Sequence, residues 1–242
     1  MKIALCQINT TIGAFKQNAD LVFEFLNKAA ELGAKVAVFP ELTLCSYPPL
    51  DLLDRRSFFE ANKLALESLC RSACKVGPSL DYIILGSLTE NTDHTGRFLQ
   101  NSGLVFERKP DGNFALSFSQ AKTLLPTYDV FDESRYFSPS VESKVFNSKT
   151  GIKFGISVCE DAWFDDQHRG INDGRKLYPR DPSVSLKGCD ILFNLSASPF
   201  ELNKNVRRIE MVSLSAKKVD APLIYVNQVG GNDEILFDGA SM

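Results

Sequence analysis

The sequence predicts an α/β fold, and two observations carry that prediction. Apolar runs of strand length alternate along the chain with longer segments of helical periodicity. The opening segment already has the order strand, helix, strand, the unit that lays a helix across a sheet. No internal repeat, low-complexity tract or linker interrupts the pattern. The 242 residues therefore read as one domain, a size at which a single α/β core is ordinary.

Residues 2–8, KIALCQI, form a short apolar run consistent with a strand. From Asn18 to Lys35, the residues Leu21, Val22, Phe25, Leu26, Ala29 and Leu32 recur at helical spacing, and Gly33 stands near the stop. The next strand, Lys35 to Phe39, ends at Pro40-Glu41. A helix from about Phe58 to Val76 precedes a strand at Tyr82 to Leu88. Strands at Ser102 to Glu107 and Phe114 to Gln120 flank Pro110-Asp111-Gly112, a turn sequence that makes them a hairpin. Strands at 152–158 and 190–195, a helix at 205–219 and a strand at 222–227 complete the series. Segments 124–142 and 164–188 are long, polar and proline-bearing. They read as surface loops, and loops of this length in a compact domain are often functional.

A net charge of -3 and the lack of a basic stripe with interleaved aromatics point away from nucleic acid and anionic membrane as partners. The longest apolar stretches are strand-sized, so no transmembrane span is expected. The N-terminus, MKIALCQINTT, has no small-residue cleavage site and reads as a first strand rather than a signal peptide. Cys6, Cys45, Cys70, Cys74, Cys159 and Cys189 are accordingly expected as free thiols in a reducing cytoplasm. Cys70 and Cys74 are four apart on a predicted helix, but only His94 and His168 exist to complete a metal site. Buried or half-buried thiols are expected there, and no metal.

The stretch GISVCEDAW (155–163) ends a buried strand on a thiol followed by two acids. Nearby negative charge disfavours a thiolate, so Cys159 is either an inert buried residue or a nucleophile activated from elsewhere. A nucleophile needs a base within hydrogen-bond reach and donors for the oxyanion. His94 and His168 lie in the polar segments ENTDHTG and DDQHRG, away from strand ends, which makes a Cys-His pair the weaker arrangement. Glu41 leaves an apolar strand directly, a setting that suits a general base; the alternative is a carboxylate that caps a strand into solvent. Lys122 follows the strand FALSFSQA. There its ammonium can hold an oxyanion and offset the repulsion between carboxylate and thiolate; the alternative is a surface lysine. All three stand at C-terminal ends of predicted strands, the edge at which open α/β sheets gather ligands.

PELTLCSYPPLDLL (40–53), KTLLPTYDVFDESRYF (122–137), GISVCEDAW (155–163), NLSASPF (194–200) and YVNQVGGNDEILFDGASM (225–242) resemble the motifs of the carbon–nitrogen hydrolase (nitrilase) superfamily. Within it they are most similar to the glutamine amidotransferase domain of glutamine-dependent NAD+ synthetases, over nearly the whole chain. The YPPLDLL and LLPTYDVFDE extensions are the more specific part. The resemblance implies an α-β-β-α four-layer sandwich and a Glu-Lys-Cys triad, carried onto Glu41, Lys122 and Cys159. By that resemblance Glu41 takes the thiol proton as Cys159 attacks an amide carbonyl. Lys122 and the backbone N–H of Glu160 hold the oxyanion, with the Glu160 side chain pointing away from the sulfur. The resemblance further implies that Tyr128 and Ser198 contact glutamine, with backbone near Phe200 at its amino-acid end. Lys204 stands where the family often carries a basic residue, though lysine lacks the bidentate grip of arginine. Trp163 is either a pocket wall or a core residue, and Gly230-Gly231 with Asn232-Asp233-Glu234 is expected as a tight turn near the site.

The chain stops at FDGASM, where the family's domains continue through further strands. A domain over residues 1–242, C-terminally shortened and lacking its last strands, is therefore implied. Its unpaired sheet edge would suit a homo-oligomer. No Ser-Gly-Gly-rich pyrophosphate loop, G-x-G-x-x-G or P-loop occurs. ATP and Mg2+ would then belong to an absent synthetase domain or subunit, and this domain is expected to need no cofactor. The expected reaction is hydrolysis of glutamine to glutamate and ammonia, feeding NAD+ synthesis in the full-length or partnered enzyme. The alternatives are a free-standing amidase or nitrilase with another small substrate, and a non-catalytic docking domain.

Overall fold

The structure, a computed structural model, describes residues 1–93, 95–166 and 177–242. His94 and His168, and with them the Cys-His alternative, lie outside the described residues. Strand β1 (Ile3–Leu5), helix α1 (Phe15–Glu31) and strand β2 (Val36–Val38) form the opening unit, followed by helix α2 (Arg56–Ala73). Strands β3 (Tyr82–Glu90), β4 (Leu99–Arg108) and β5 (Phe114–Ala121) complete a five-stranded sheet in the order β1-β2-β3-β4-β5. Pairing is parallel from β1 to β3 and antiparallel from β3 to β5. A second sheet joins β6 (Val145–Asn147), β7 (Lys153–Val158), β8 (Ile191–Ser196) and β9 (Leu223–Asn227) in that order. Helix α3 (Lys204–Val219) covers it.

Side chains of a strand alternate between its two faces, and here both faces are buried. Ala37, Phe39, Ile83 and Leu85 pack with Val22, Leu26, Leu69 and Ala73 of α1 and α2. Their neighbours Val36, Val38, Tyr82 and Ile84 pack with Phe154, Ile156, Phe193, Leu195 and Val226 of the other sheet. Leu192 turns the opposite way, toward Val219 of α3. The result is four layers: helices, sheet, sheet, helix. At Gly103 on β4 a Cβ would stand 2.5 Å from Ile156 Cγ2 and 3.2 Å from Leu195 Cδ1, so glycine lets the two sheets approach there.

Several elements differ from the sequence reading. Strand β4 begins at Leu99, because Leu88, Thr89 and Glu90 keep pairing with Asn101, Gln100 and Leu99. Strand β6 is only three residues long, below what an apolar run can announce. The expected tight turn at 230–234 is the tip of a hairpin, β10 (Val229–Asn232) with β11 (Ile235–Asp238), turning through Asp233 at φ +52°. Cys74 is exposed rather than buried, because α2 ends at Ala73 and leaves it as the cap. Beside β9, Met242 exchanges two backbone hydrogen bonds with Tyr225 at 2.7 and 2.9 Å. Among the described residues no helix is long and apolar enough to cross a membrane.

Candidate active site

Glu41 follows β2 and Lys122 follows β5, and two strands separate them in the sheet. At a spacing of about 4.8 Å per strand their roots would lie roughly 14 Å apart, too far for contact. The segment after β2 closes that gap by crossing β3 at Gly86. A Cβ there would lie 2.6 Å from Glu41 Cα and 2.5 Å from Leu42 N, positions that only glycine leaves open. The Gly86 N–H donates to Pro40 O at 3.0 Å and the Thr43 N–H donates to Gly86 O at 2.9 Å. Leu42 takes φ +44° to make the turn.

Glu41 is thereby delivered to a fully buried position. Its Oε1 accepts from Lys122 Nζ at 2.8 Å and from Asn101 Nδ2 at 2.6 Å; its Oε2 accepts from the Ala197 N–H at 2.9 Å. Lys122 Nζ also donates to Glu133 Oε1 at 2.8 Å, and the Tyr47 hydroxyl donates to the same oxygen at 2.9 Å. One ammonium thus sits between two carboxylates, all three out of solvent.

Cys159 follows β7 directly, at φ +41°, and opens a 3-10 turn over Cys159–Trp163. A left-handed backbone at a cysteine is strained and needs support. Asp161 supplies it: Oδ2 accepts from the Val158 N–H at 3.0 Å, and Oδ1 from the N–H groups of Thr123 and Leu124 at 3.0 and 2.9 Å. The same carboxylate therefore ties the cysteine turn to the Lys122 strand end.

The charges act on one another strongly because the groups are buried. Burial pushes the Cys159 thiol well up, and Glu41 pushes it further; Lys122 opposes this without reversing it. Burial and the neighbouring carboxylates thus both favour the thiol over the thiolate. Burial works to lower the Lys122 ammonium, but Glu133 and Glu41 outweigh it and hold the group firmly charged. Burial lifts Glu133 to about 7 against the pull of Lys122, and lifts Asp161 to about 6 against its backbone donors. Cys159 thus lies within electrostatic reach of a buried carboxylate and a fixed cation, the kinds of group a cysteine nucleophile requires.

A model of the carbon-nitrogen hydrolase family matches residues 2–242. The chain belongs to the carbon–nitrogen hydrolase family. It is 41% identical over 244 residues to a glutamine-dependent NAD+ synthetase of Synechocystis sp., covering 99% of this chain and 41% of that protein. It is 35% identical over 246 residues to the one from Thermotoga maritima, covering 100% of this chain and 38% of that one. The chain spans about two fifths of the length of these relatives. The solved glutamine-dependent NAD+ synthetase of Acinetobacter baumannii, in complex with ADP, matches with TM-score 0.77 at 30% identity, over 99% of this chain and 40% of that one. An amidase from Nesterenkonia sp. shares the fold, with TM-score 0.76 at 20% identity, over 100% of this chain and 81% of that one.

Of the remaining predicted residues in this carbon–nitrogen hydrolase, Tyr128 and Lys204 contact the cysteine turn, while the backbone N–H groups of Ser198 and Phe200 bond to other segments. The Tyr128 hydroxyl donates to the Glu160 carboxylate at 2.8 and 2.9 Å, and Tyr178 donates to the same group at 2.9 Å. The Glu160 side chain is thus turned to two phenols, yet its charge still raises the thiol. Ser198 is buried, with its N–H donating to Asn227 Oδ1 at 2.8 Å. The Phe200 ring is exposed and its N–H donates to Leu236 O at 2.7 Å. Lys204 is buried; its Nζ donates to Pro199 O at 2.9 Å and lies 5.5 Å from the Trp163 ring centroid. Trp163 packs in the core with Ala162 and Met211.

Sequence reasoning gave no role to Gly86, Asn101 or Glu133, and read Asp161 only as a charge that disfavours a thiolate. A glycine inside the apolar strand YIILGSL was a usable sign of close backbone approach. Glu133 closes the LLPTYDVFDE extension that carried part of the resemblance, but it was given no role of its own. Among the described residues no group of three His, Cys, Asp or Glu side chains is placed to hold a metal ion.

Proposed function

We propose that the chain hydrolyses glutamine to glutamate and ammonia through a thioester on Cys159, and that the ammonia feeds NAD+ synthesis by a synthetase domain or subunit. The observation that carries this reading is the buried Glu41–Lys122 ion pair at 2.8 Å, with the Cys159 thiol within electrostatic reach of both groups. The synthetase relatives supply the substrate class. As Sγ attacks the carboxamide carbon, its proton passes to Glu41. The carbonyl oxygen becomes an oxyanion, held by the Lys122 ammonium and the Glu160 N–H. Glu41 gives the proton to the leaving nitrogen, the C–N bond breaks and ammonia departs. Water then loses a proton to Glu41 and adds to the thioester carbon. The C–S bond breaks, the sulfur recovers its proton and glutamate leaves. A thiol held protonated at rest suits this order, because its proton moves only during attack.

In this reading Tyr128, Ser198 and Lys204, with the backbone near Phe200, contact the amino-acid end of the substrate. Hydrolysis needs no cofactor, and ATP and Mg2+ belong with the synthetase. The chain works in the cytoplasm as a homo-oligomer, a state favoured by exposed Leu202, Val206 and Ile209 on and beside α3.

The decisive experiment is ammonia release from glutamine by the purified chain, beside Cys159→Ala and beside wild type in EDTA. Release from glutamine, abolished by the substitution and untouched by the chelator, is expected. Release from simple aliphatic amides but not from glutamine would favour the free-standing amidase instead. A folded wild type inert toward every amide would overturn the reading.

A further inference from the structure

We propose that Asn101 is a positioning residue for the Glu41 base, holding the Glu41 carboxylate and the backbone root of Lys122 from a single point on β4. The inference rests on the hydrolytic reading above. Asn101 lies opposite Leu88 of β3 and is 1% exposed. The β4–β5 ladder ends at the pair Ser102 and Ala121. One residue beyond it, the Asn101 carbonyl accepts the Lys122 N–H at 2.7 Å. The side chain of the same residue reaches the other way, its Nδ2 donating to Glu41 Oε1 at 2.6 Å. Asn101 is therefore the physical link between two groups that arrive from non-adjacent strands.

The ion pair alone does not place Glu41. Lys122 Nζ stands 2.8 Å from both Glu41 and Glu133, so it is shared between them. What distinguishes the Glu41 position is one further donor on each oxygen: Asn101 Nδ2 on Oε1 and the Ala197 N–H on Oε2. A second feature points the same way. Asn101 Oδ1 is buried without a hydrogen-bond partner. A buried orphan acceptor is costly, so the donor end is what holds this amide in place. Here the amide is oriented by the carboxylate at one end, while the other end goes unpaired. Turning it over would place Oδ1 against Glu41.

The test compares Asn101→Leu and Asn101→Asp with wild type, each confirmed folded by a cooperative melt. Two readouts are taken. One is kcat and KM for ammonia release from glutamine. The other is the pH profile of Cys159 alkylation by iodoacetamide, followed by peptide mass spectrometry, which needs no glutamine. For Asn101→Leu, kcat is expected to fall about 10–100-fold with KM nearly unchanged, as for a misplaced rather than a missing group. For Asn101→Asp, the alkylation profile is expected to differ from that of wild type, because a carboxylate replaces the amide that donates to Glu41 Oε1. If the leucine variant is unfolded, the aspartate variant carries the test, since it differs by one group. Unchanged kcat with an unchanged alkylation profile would overturn the inference, as would a rise in KM alone. Should wild type release no ammonia from glutamine, the substrate reading fails, and the alkylation profiles still decide the role of Asn101.

Discussion

Glu133 is the side chain on which the pH behaviour of the folded chain turns. Its ordinary value of 4.5 is lifted to about 7, chiefly by burial, with Lys122 pulling the other way and Glu41 adding to the lift. Between those two values the native state holds a proton that the unfolded chain has lost. Unfolding free energy therefore falls as pH rises through this window, and the contribution is complete below about 4.5 and gone above about 7. Asp161, lifted from 3.8 to about 6, acts in the same direction. Thermal melts across a pH series are expected to show the midpoint falling as pH rises through the window. Glu133→Gln should flatten that slope, leaving the share due to Asp161. An unaltered slope in the variant would remove Glu133 as its source.

At the scale of elements, two glycines do different work. Gly86 admits the segment carrying Glu41 across β3, whereas Gly103 admits the second sheet against the first. Alanine at Gly86 would press on backbone atoms of Pro40, Glu41 and Leu42, none of which can rotate away. It should cost about 1–3 kcal/mol by overpacking and lower kcat, because Glu41 moves relative to Lys122. Alanine at Gly103 meets side-chain methyls of Ile156 and Leu195 instead. A similar loss of stability is expected there, with kcat retained at low temperature. Urea unfolding paired with ammonia release separates the two cases. Equal kinetic losses in both variants would show that general loosening, not the Glu41 crossing, is being read.

The whole molecule presents more apolar surface around α3 than its monomer uses. Leu202, Val206 and Ile209 are 77%, 74% and 53% exposed, while Met211 and Val212 on the same helix are buried. Light scattering is expected to return a mass above the 26.9 kDa of one chain. The double substitution Val206→Glu and Ile209→Glu should bring it down to that value with the fold intact. A wild type that scatters as a monomer would end the homo-oligomer reading.

The sequence by itself determined the α/β class, the apolar runs of its strands and the position of Glu41, Lys122 and Cys159 at strand ends. These are local properties: apolar periodicity and the point where it stops are visible within a dozen residues. Tertiary structure decided the rest, because the site is made of contacts between distant segments. Glu41 meets Lys122 across 81 positions and Asn101 across 60, and Tyr47 meets Glu133 across 86. Whether a carboxylate in a polar loop is solvated or buried against a lysine depends on which strand lies beneath it. The LLPTYDVFDE stretch that ends at Glu133 marked a resemblance but not that burial. A glycine's missing Cβ and an asparagine's reach acquire meaning only when another backbone arrives beside them.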